Sequence, residues 1–340
     1  MPGERPHRPT RAAAAAAPRH RLRPGTRVGE EQPEAAGLSR LADRPRAVRT
    51  GARAGPLRRR GPSWKEPQVN RSPKTVVPVL CYHSIGDVPR DNTLRWSVSP
   101  GDFDEQLALI QESGRTPMTV SGYAAVLRGL APLPPRPVLI TFDDGFPDLA
   151  ETALPVLRRH RLTATAYVIA ARVGTAPSPD RDPSLDWDQL RELHAHGVEI
   201  GSHSRSHRAL DCLRHTELHQ EAAGSRRLLE DGMGTPVRSF AYPYGYHSLA
   251  VRSAVRAAGY SSACGVKNAL SHPNDDVFAI ARVLIERDTG VAGIGALLDG
   301  TGWPLAWRGE RLRTRGWRAY RRARHLVAHS APPWPSQPTS

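Results

Sequence analysis

Chemistry-bearing residues gather in three short polar clusters. The first, Thr141-Phe142-Asp143-Asp144-Gly145, directly follows the apolar run Val138-Leu139-Ile140. Two adjacent carboxylates repel each other and lose hydration if buried, and a cation relieves both penalties. Because consecutive side chains diverge, one aspartate can bind an ion while its neighbour faces a substrate. Taken alone, the motif fits an ordinary Asp-Asp-Gly turn equally well. The second cluster is His203-Ser204-Arg205-Ser206-His207. Histidines at i and i+4 are expected on one side of a helical turn, where they can share an ion. In a chain with 14 histidines, two surface imidazoles are the plainer explanation of that pair. The third, Phe240-Ala241-Tyr242-Pro243-Tyr244-Gly245, ends a β-type run in a loop that can aim a peptide N–H into a cleft. By itself it reads as an aromatic core strand ending in a turn. The three occur in order, each after a strand-like run. Two histidines and one carboxylate leave a coordination position open for water, the pattern of catalytic rather than structural zinc.

Positioning these clusters requires alternating strands and helices. Strand-like runs are expected at Val76–Tyr82, Met118–Val120, Val138–Phe142, Ala164–Ile169, Val198–Gly201, Ser239–Tyr242, Tyr260–Ala263 and Ala279–Ile285. Between them lie helical patterns. Ser99 caps one with Pro100 at its first position, and Phe103, Leu107 and Ile110 share its face until Gly114. Others are expected around Tyr123–Leu127 and Leu149–His160, from Asp186 to His196, and over Thr216–Asp231, Leu249–Ala258 and Val291–Leu298. Repeated βα units imply a parallel sheet, doubly wound or closed as a barrel. In either case the ligand site lies at the carboxyl ends of the strands.

The 48 Lys and Arg residues against 33 Asp and Glu give a formal charge of +15, unevenly spread. Residues 1–74 hold 18 basic and 6 acidic residues, and residues 301–340 hold 8 and 1, which leaves 75–300 with 22 and 26. The mildly acidic body argues against a nucleic-acid partner, which the overall basicity would otherwise suggest. Residues 1–74, rich in Arg, Pro, Gly and Ala without apolar periodicity, read as a disordered tail. Residues 301–340 read as a basic extension with Trp303, Trp307, Trp317 and Trp334, in which Arg311–Arg324 forms a basic helix. Such a helix lies on an anionic membrane surface or on the protein's own body. No run approaches the ~20 apolar residues of a membrane span. The six alanines Ala12–Ala17, ended by Pro18, are too short for a signal-peptide core. Read from Met1, the chain is expected in the cytoplasm or at the membrane periphery, and a different start would make it extracellular. Cys81, Cys212 and Cys264 are odd in number and widely spaced, so neither a disulfide framework nor a cysteine zinc site is expected.

Thr141–Gly145, His203–His207 and Tyr242–Gly245, with Tyr82-His83-Ser84 after the first strand, resemble the leading motifs of the polysaccharide deacetylases, the NodB-homology or carbohydrate esterase 4 group. The resemblance spans roughly Val76–Ile285. It implies an α/β fold, a distorted (β/α) barrel over residues 75–300, and metal-dependent removal of N-acetyl groups from an amino-sugar polymer. It further implies Asp143 as general base, Asp144, His203 and His207 as ligands of Zn2+ or another divalent metal, and the backbone N–H of Tyr244 facing the oxyanion. An N-acetylated glycan is then the expected partner.

The chain departs from the pattern twice. Many members carry an arginine in the third motif that pairs with the catalytic aspartate, and here that position is Ala241. Arg282 is the candidate replacement, because an arginine can reach a carboxylate across a barrel mouth. The late Leu-x-His motif is matched only by Leu270-Ser271-His272, which precedes the last strand instead of ending it. His83 is therefore the first candidate for the general acid or for a substrate contact, and His272 the second. An O-deacetylase, another amidohydrolase on the same scaffold and a non-catalytic glycan-binding protein remain the alternatives.

Overall fold

The computed structural model describes residues 75–87, 94–175, 182–307, 309, 314 and 316–323, all within the compact unit Lys65–Ser340. The expected tail at 1–74 lies outside the described residues.

Strand β1 (Val79–Tyr82) opens the chain, followed by the short pair β2 (Ser84–Ile85) and β3 (Ser97–Val98). Helix α1 (Pro100–Glu112) starts where the Ser99 hydroxyl accepts from the Asp102 N–H and Pro100 fixes the first turn. It buries Phe103, Gln106, Leu107 and Ile110, one face at helical spacing. Gln106 is tolerated there because it accepts from the Tyr82 hydroxyl (2.8 Å) and donates to the Thr289 carbonyl (2.6 Å). Then come β4 (Thr116–Met118), α2 (Val120–Leu127), β5 (Pro137–Phe142), α3 (Leu154–Arg159) and β6 (Thr165–Val168). They are followed by α4 (Trp187–Ala195), β7 (Glu199–Ser202), α5 (His215–Met233), β8 (Ser239–Ala241), α6 (Leu249–Ala257), β9 (Ser262–Cys264), β10 (Val283–Leu284) and α7 (Val291–Asp299). Asp186 starts α4 with a reciprocal capping box to Gln189.

The strands form one parallel sheet in the order β10-β1-β5-β6-β7-β8-β9, with β4 paired to the first half of β5. A parallel bridge between Cys264 and Ile280 joins β9 to the segment entering β10, which pairs with β1. The two edges of the sheet thus approach each other through residues 280–283, as a distorted barrel requires. Strand alternation divides the core in two. Val79, Leu139, Tyr167, Ala241, Cys264 and Ile280 form an interior cluster on which α2 packs Val120, Tyr123 and Val126. Leu80, Tyr82, Ile140, Phe142, Val168 and Phe240 face outward, under the helices. Covered on both faces, β5 is buried at all six positions.

Three expectations need correction. The strand expected at Met118–Val120 lies earlier, at Thr116–Met118, because Thr119 caps α2 and Val120 begins it. Ala279–Ile285 is not a single strand: Ile280 makes an isolated bridge to β9, and only Val283–Leu284 pairs with β1. The stretch 149–160 is not one regular helix, since Leu149–Ala153 forms a wider π turn ahead of α3. Among the described residues no helix is long and apolar enough to cross a membrane.

Candidate active site

Each expected site residue except Arg282 and His272 follows a strand at the carboxyl end of the sheet. Where β5 ends, the Asp143 N–H donates to the Tyr82 carbonyl (3.0 Å) and continues the ladder. Asp144 (φ 70°) and Gly145 (φ 72°) then turn the chain sharply. Glycine is required at 145: a Cβ would lie 2.9 Å from Val168 Cγ1, in a conformation that L side chains rarely adopt. The turn separates the two carboxylates as their adjacency demands. Asp143 points into the barrel, whereas Asp144 faces the histidines.

The geometry at Asp143 answers the departure at Ala241. Arg282 is fully buried and donates from Nη1 to Asp143 Oδ1 (2.6 Å) and from Nη2 to Oδ2 (2.7 Å), a bidentate pair between two buried groups. Its Nη1 also donates to Thr141 Oγ1 (3.1 Å) and its Nε to the Gly265 carbonyl (3.3 Å). Burial alone would raise the Asp143 pKa. The Arg282 guanidinium more than offsets this and holds the carboxyl below the usual carboxylate range. Asp143 is therefore an ionised proton acceptor.

His203 and His207 do not lie on a helical turn, contrary to the expectation from their i, i+4 spacing. Residues 203–207 form a loop in which Ser204 (φ 65°) and His207 (φ 63°) adopt left-handed conformations. The chain reverses in two such steps and brings the imidazoles to 3.2 Å between their Nε2 atoms. Left-handed backbone at a non-glycine residue is unfavourable by on the order of 1 kcal/mol, so contacts must hold the loop. The His207 N–H donates to Ser204 Oγ (3.0 Å). Glu221 of α5, 5 % exposed, accepts from the backbone N–H groups of Arg205 (3.0 Å) and Ser206 (2.9 Å) and from the Ser206 hydroxyl. Sequence reading missed Glu221. Its signal was a carboxylate on the buried stripe Leu218, Ala222, Ser225 and Leu229 of a helix that is otherwise charged outward.

Asp144 Oδ1 lies 3.6 Å from His203 Nε2 and 3.3 Å from His207 Nε2. The three residues bring one ligand atom each within 4.8 Å of the others. Their chemistry fits a metal ion on two further counts. Asp144 Oδ1 is buried with no hydrogen-bond partner. His203 Nδ1 sits 2.9 Å from the Ala241 carbonyl, which accepts only an N–H, so Nε2 presents its lone pair to the site. Burial and the neighbouring His203 lower the His207 pKa to about 4, which keeps that ring neutral as a ligand must be. Cys81, His83 and Asp143 also cluster closely. There, however, Arg282 holds both Asp143 oxygens and burial pushes the Cys81 thiol up, so a second cation is disfavoured.

Tyr244 (φ 59°) lies in the turn Pro243–Gly245, with its ring 4.7 Å from that of His207. Gly245 (φ 70°) is again obligatory, because a Cβ would come 2.7 Å from the Val266 backbone nitrogen. His83 stacks on Trp96 at 5.7 Å, and its Nδ1 is buried without a hydrogen-bond partner. Burial lowers its pKa, leaving a neutral imidazole beside the two aspartates. His272 is engaged elsewhere: Nε2 donates to the Ala306 carbonyl (3.0 Å) and Nδ1 accepts from the Asn274 N–H (3.2 Å).

Residues 131–263 match the model of the family described as polysaccharide deacetylase. YxkH of Bacillus subtilis strain 168, assigned as a polysaccharide deacetylase, is 26% identical over 223 residues, which cover 66% of this chain and 76% of that protein. Poly-beta-1,6-N-acetyl-D-glucosamine N-deacetylase of Escherichia coli K12 is 27% identical over 135 residues, 37% of this chain, and the match spans only 20% of that protein's length. The structure of the Streptococcus pyogenes deacetylase PplD in complex with acetate superposes with a TM-score of 0.60 at 20% identity, covering 66% of this chain and 98% of that one. The last of these is a likeness of fold.

Proposed function

We propose that this chain, which belongs to the polysaccharide deacetylase family, removes N-acetyl groups from N-acetylglucosamine residues of a polysaccharide, and that it needs a divalent metal ion to do so. The observation that carries this reading is the convergence of Asp144 Oδ1, His203 Nε2 and His207 Nε2 beside the buried, ionised Asp143. Two imidazole nitrogens and one carboxylate oxygen are the donor set of hydrolytic zinc, and a bound ion would polarise the acetamide carbonyl and make an adjoining water more acidic.

The chain's own groups account for the rest. Asp143 takes the proton from the attacking water, and its bidentate pair with Arg282 keeps it ionised and correctly oriented for that step. The Tyr244 backbone N–H is assigned as a donor to the tetrahedral oxyanion, a type of contact worth roughly 3–4 kcal/mol where it has been removed in other hydrolases. Having accepted a proton, Asp143 can also hand one to the departing amine. His83, held neutral by burial, suits a hydrogen bond to the substrate better than the supply of that proton.

The test is acetate release from β-1,6- and β-1,4-linked N-acetylglucosamine oligomers, with acetylated xylan alongside, before and after chelation. Turnover of the N-acetylated oligomers that stops with chelator and returns with zinc supports the reading. Release from xylan alone would replace it with O-deacetylation, and activity indifferent to chelator would remove the metal from it.

A further inference from the structure

The helical residues 316–323 lie beyond the stretch matched by the family model, yet their side chains close on the segments that follow His207 and Tyr244. Arg321 donates from Nη1 to Asp211 Oδ1 (3.0 Å) and from Nη2 to Oδ2 (2.6 Å). Asp211, only 2 % exposed, follows His207 by four residues. The same guanidinium stands 3.7 Å above the Tyr246 ring, two residues past Tyr244. Arg322 Nε donates to the Asp211 carbonyl (2.6 Å), and Trp317 Nε1 donates to the Tyr246 hydroxyl (3.2 Å). Of the two places a basic helix here could lie, these contacts put it on the protein's own body. A bidentate pair with a buried carboxylate, reinforced by a cation–π contact, anchors it there.

This anchorage produces a row of aromatic rings that begins at a metal-ligand candidate. Tyr244 lies 4.7 Å from His207 and 6.2 Å from Tyr246, which is bonded to Trp317, and Trp317 stacks on Tyr320 at 5.3 Å. Tyr244 is 58 %, Trp317 48 % and Tyr320 50 % exposed. Tyr246 is a spacer, since Arg321 covers one face of its ring. The placement of these stacked, half-exposed aromatics suits a ligand with apolar faces and polar edges. A pyranose ring is such a ligand: its C–H groups pack on an aromatic face while its hydroxyls stay in water.

We propose that Trp317 and Tyr320 form an outer sugar-binding subsite that holds a glycan chain whose reacting N-acetyl group lies at Asp143 and His207. The proposal rests on the reading of this chain as a deacetylase of N-acetylglucosamine polymers and extends it to chain length. On this proposal the subsite acts on oligomers long enough to reach the outer rings and not on shorter ones.

The experiment compares the full-length zinc-loaded protein with its Trp317→Ala/Tyr320→Ala double variant on N-acetylglucosamine oligomers from dimer to hexamer. Two stacking contacts of ordinary strength predict that the variant's KM for the hexamer rises about tenfold, with kcat held and the dimer's KM changed by less than about twofold. Tyr246→Phe breaks the same bond to Trp317 but keeps every ring, and its hexamer KM stays within about twofold of the parent. Equal losses on dimer and hexamer, or a Tyr246→Phe variant that reproduces the loss, overturn the subsite in favour of a purely structural helix. Calorimetric titration of the hexamer into zinc-loaded Asp143→Asn, with and without the double substitution, reads binding apart from turnover. If no oligomer is deacetylated by the parent, the proposed function fails, and this titration alone decides the subsite. Hexamer affinity that is unchanged by the double substitution, while binding to phosphatidylglycerol vesicles is lost, would assign the rings to a membrane surface instead.

Discussion

At the scale of single residues, the account turns on two adjacent aspartates with opposite surroundings. Asp143 is enclosed and tied to Arg282, while Asp144 leaves a buried oxygen without a hydrogen-bond donor. Their substitutions should therefore separate. Asp143→Asn keeps bound zinc and loses roughly 10²–10⁴-fold in kcat, the usual contribution of a general base, as acetate release and metal content measured on the same sample will show. Near-normal turnover in that variant would exclude Asp143 as the base. Arg282→Met leaves the Asp143 charge buried without its partner, and chemical denaturation should register a loss of about 3–5 kcal/mol. A loss within the range of ordinary surface changes would mean that another cation compensates Asp143. The role of Arg282 was legible as a candidate because only a long, planar cation can span a barrel interior to a carboxylate. Asp143 is named as its partner only through the family resemblance, since the two residues are 139 apart and nothing local links them.

At the scale of elements, what the sequence shows depends on periodicity. Helices α1 and α4 were readable from caps and apolar spacing, and β5 from an unbroken apolar run, because those signals are local. The loop 203–207 misled because i, i+4 spacing suggests a helix, whereas the imidazoles meet through left-handed turns held by the distant Glu221. Glu221→Ala removes the one oxygen that accepts from both backbone N–H groups and the other that accepts from the Ser206 hydroxyl. Zinc affinity, measured by competition with a chromogenic chelator, should fall about 10–100-fold while far-UV circular dichroism is unchanged. Unaltered affinity would show that the loop holds itself. The turn after Tyr244 makes a prediction in pH. His247 stacks on Tyr242 at 4.7 Å, and burial lowers its pKa to about 4, although its hydrogen bond to the Gly245 carbonyl acts the other way. The unfolded chain protonates this ring near its ordinary value of 6.5, so between 6.5 and 4 the unfolded state binds more protons and stability is lost as pH falls. His247→Phe keeps the stack and has nothing to titrate. Its melting temperature should fall less steeply than the parent's across that window, and parallel slopes would show that His247 does not contribute.

At the scale of the whole molecule, a curled parallel sheet brings the residues that follow β1, β5, β7 and β8 to one mouth, and Arg282, just before β10, reaches Asp143 from the interior, which is why motifs far apart in sequence can share one site. The segregation of charge is equally a property of the whole chain: residues 75–300, with 22 basic and 26 acidic residues, contain the site, whereas the net positive charge lies at the ends. The described part of the C-terminal segment returns to the site through Arg321 and Trp317, a placement that composition alone left undecided between membrane and protein. The central claim is that Asp144, His203 and His207 hold one divalent ion. Its most direct test is the zinc content of purified protein, equilibrated with zinc and then desalted, measured side by side for the parent and Asp144→Ala. The account predicts one ion per chain in the parent and almost none in the variant. Equal zinc in both, or none in either, would contradict it.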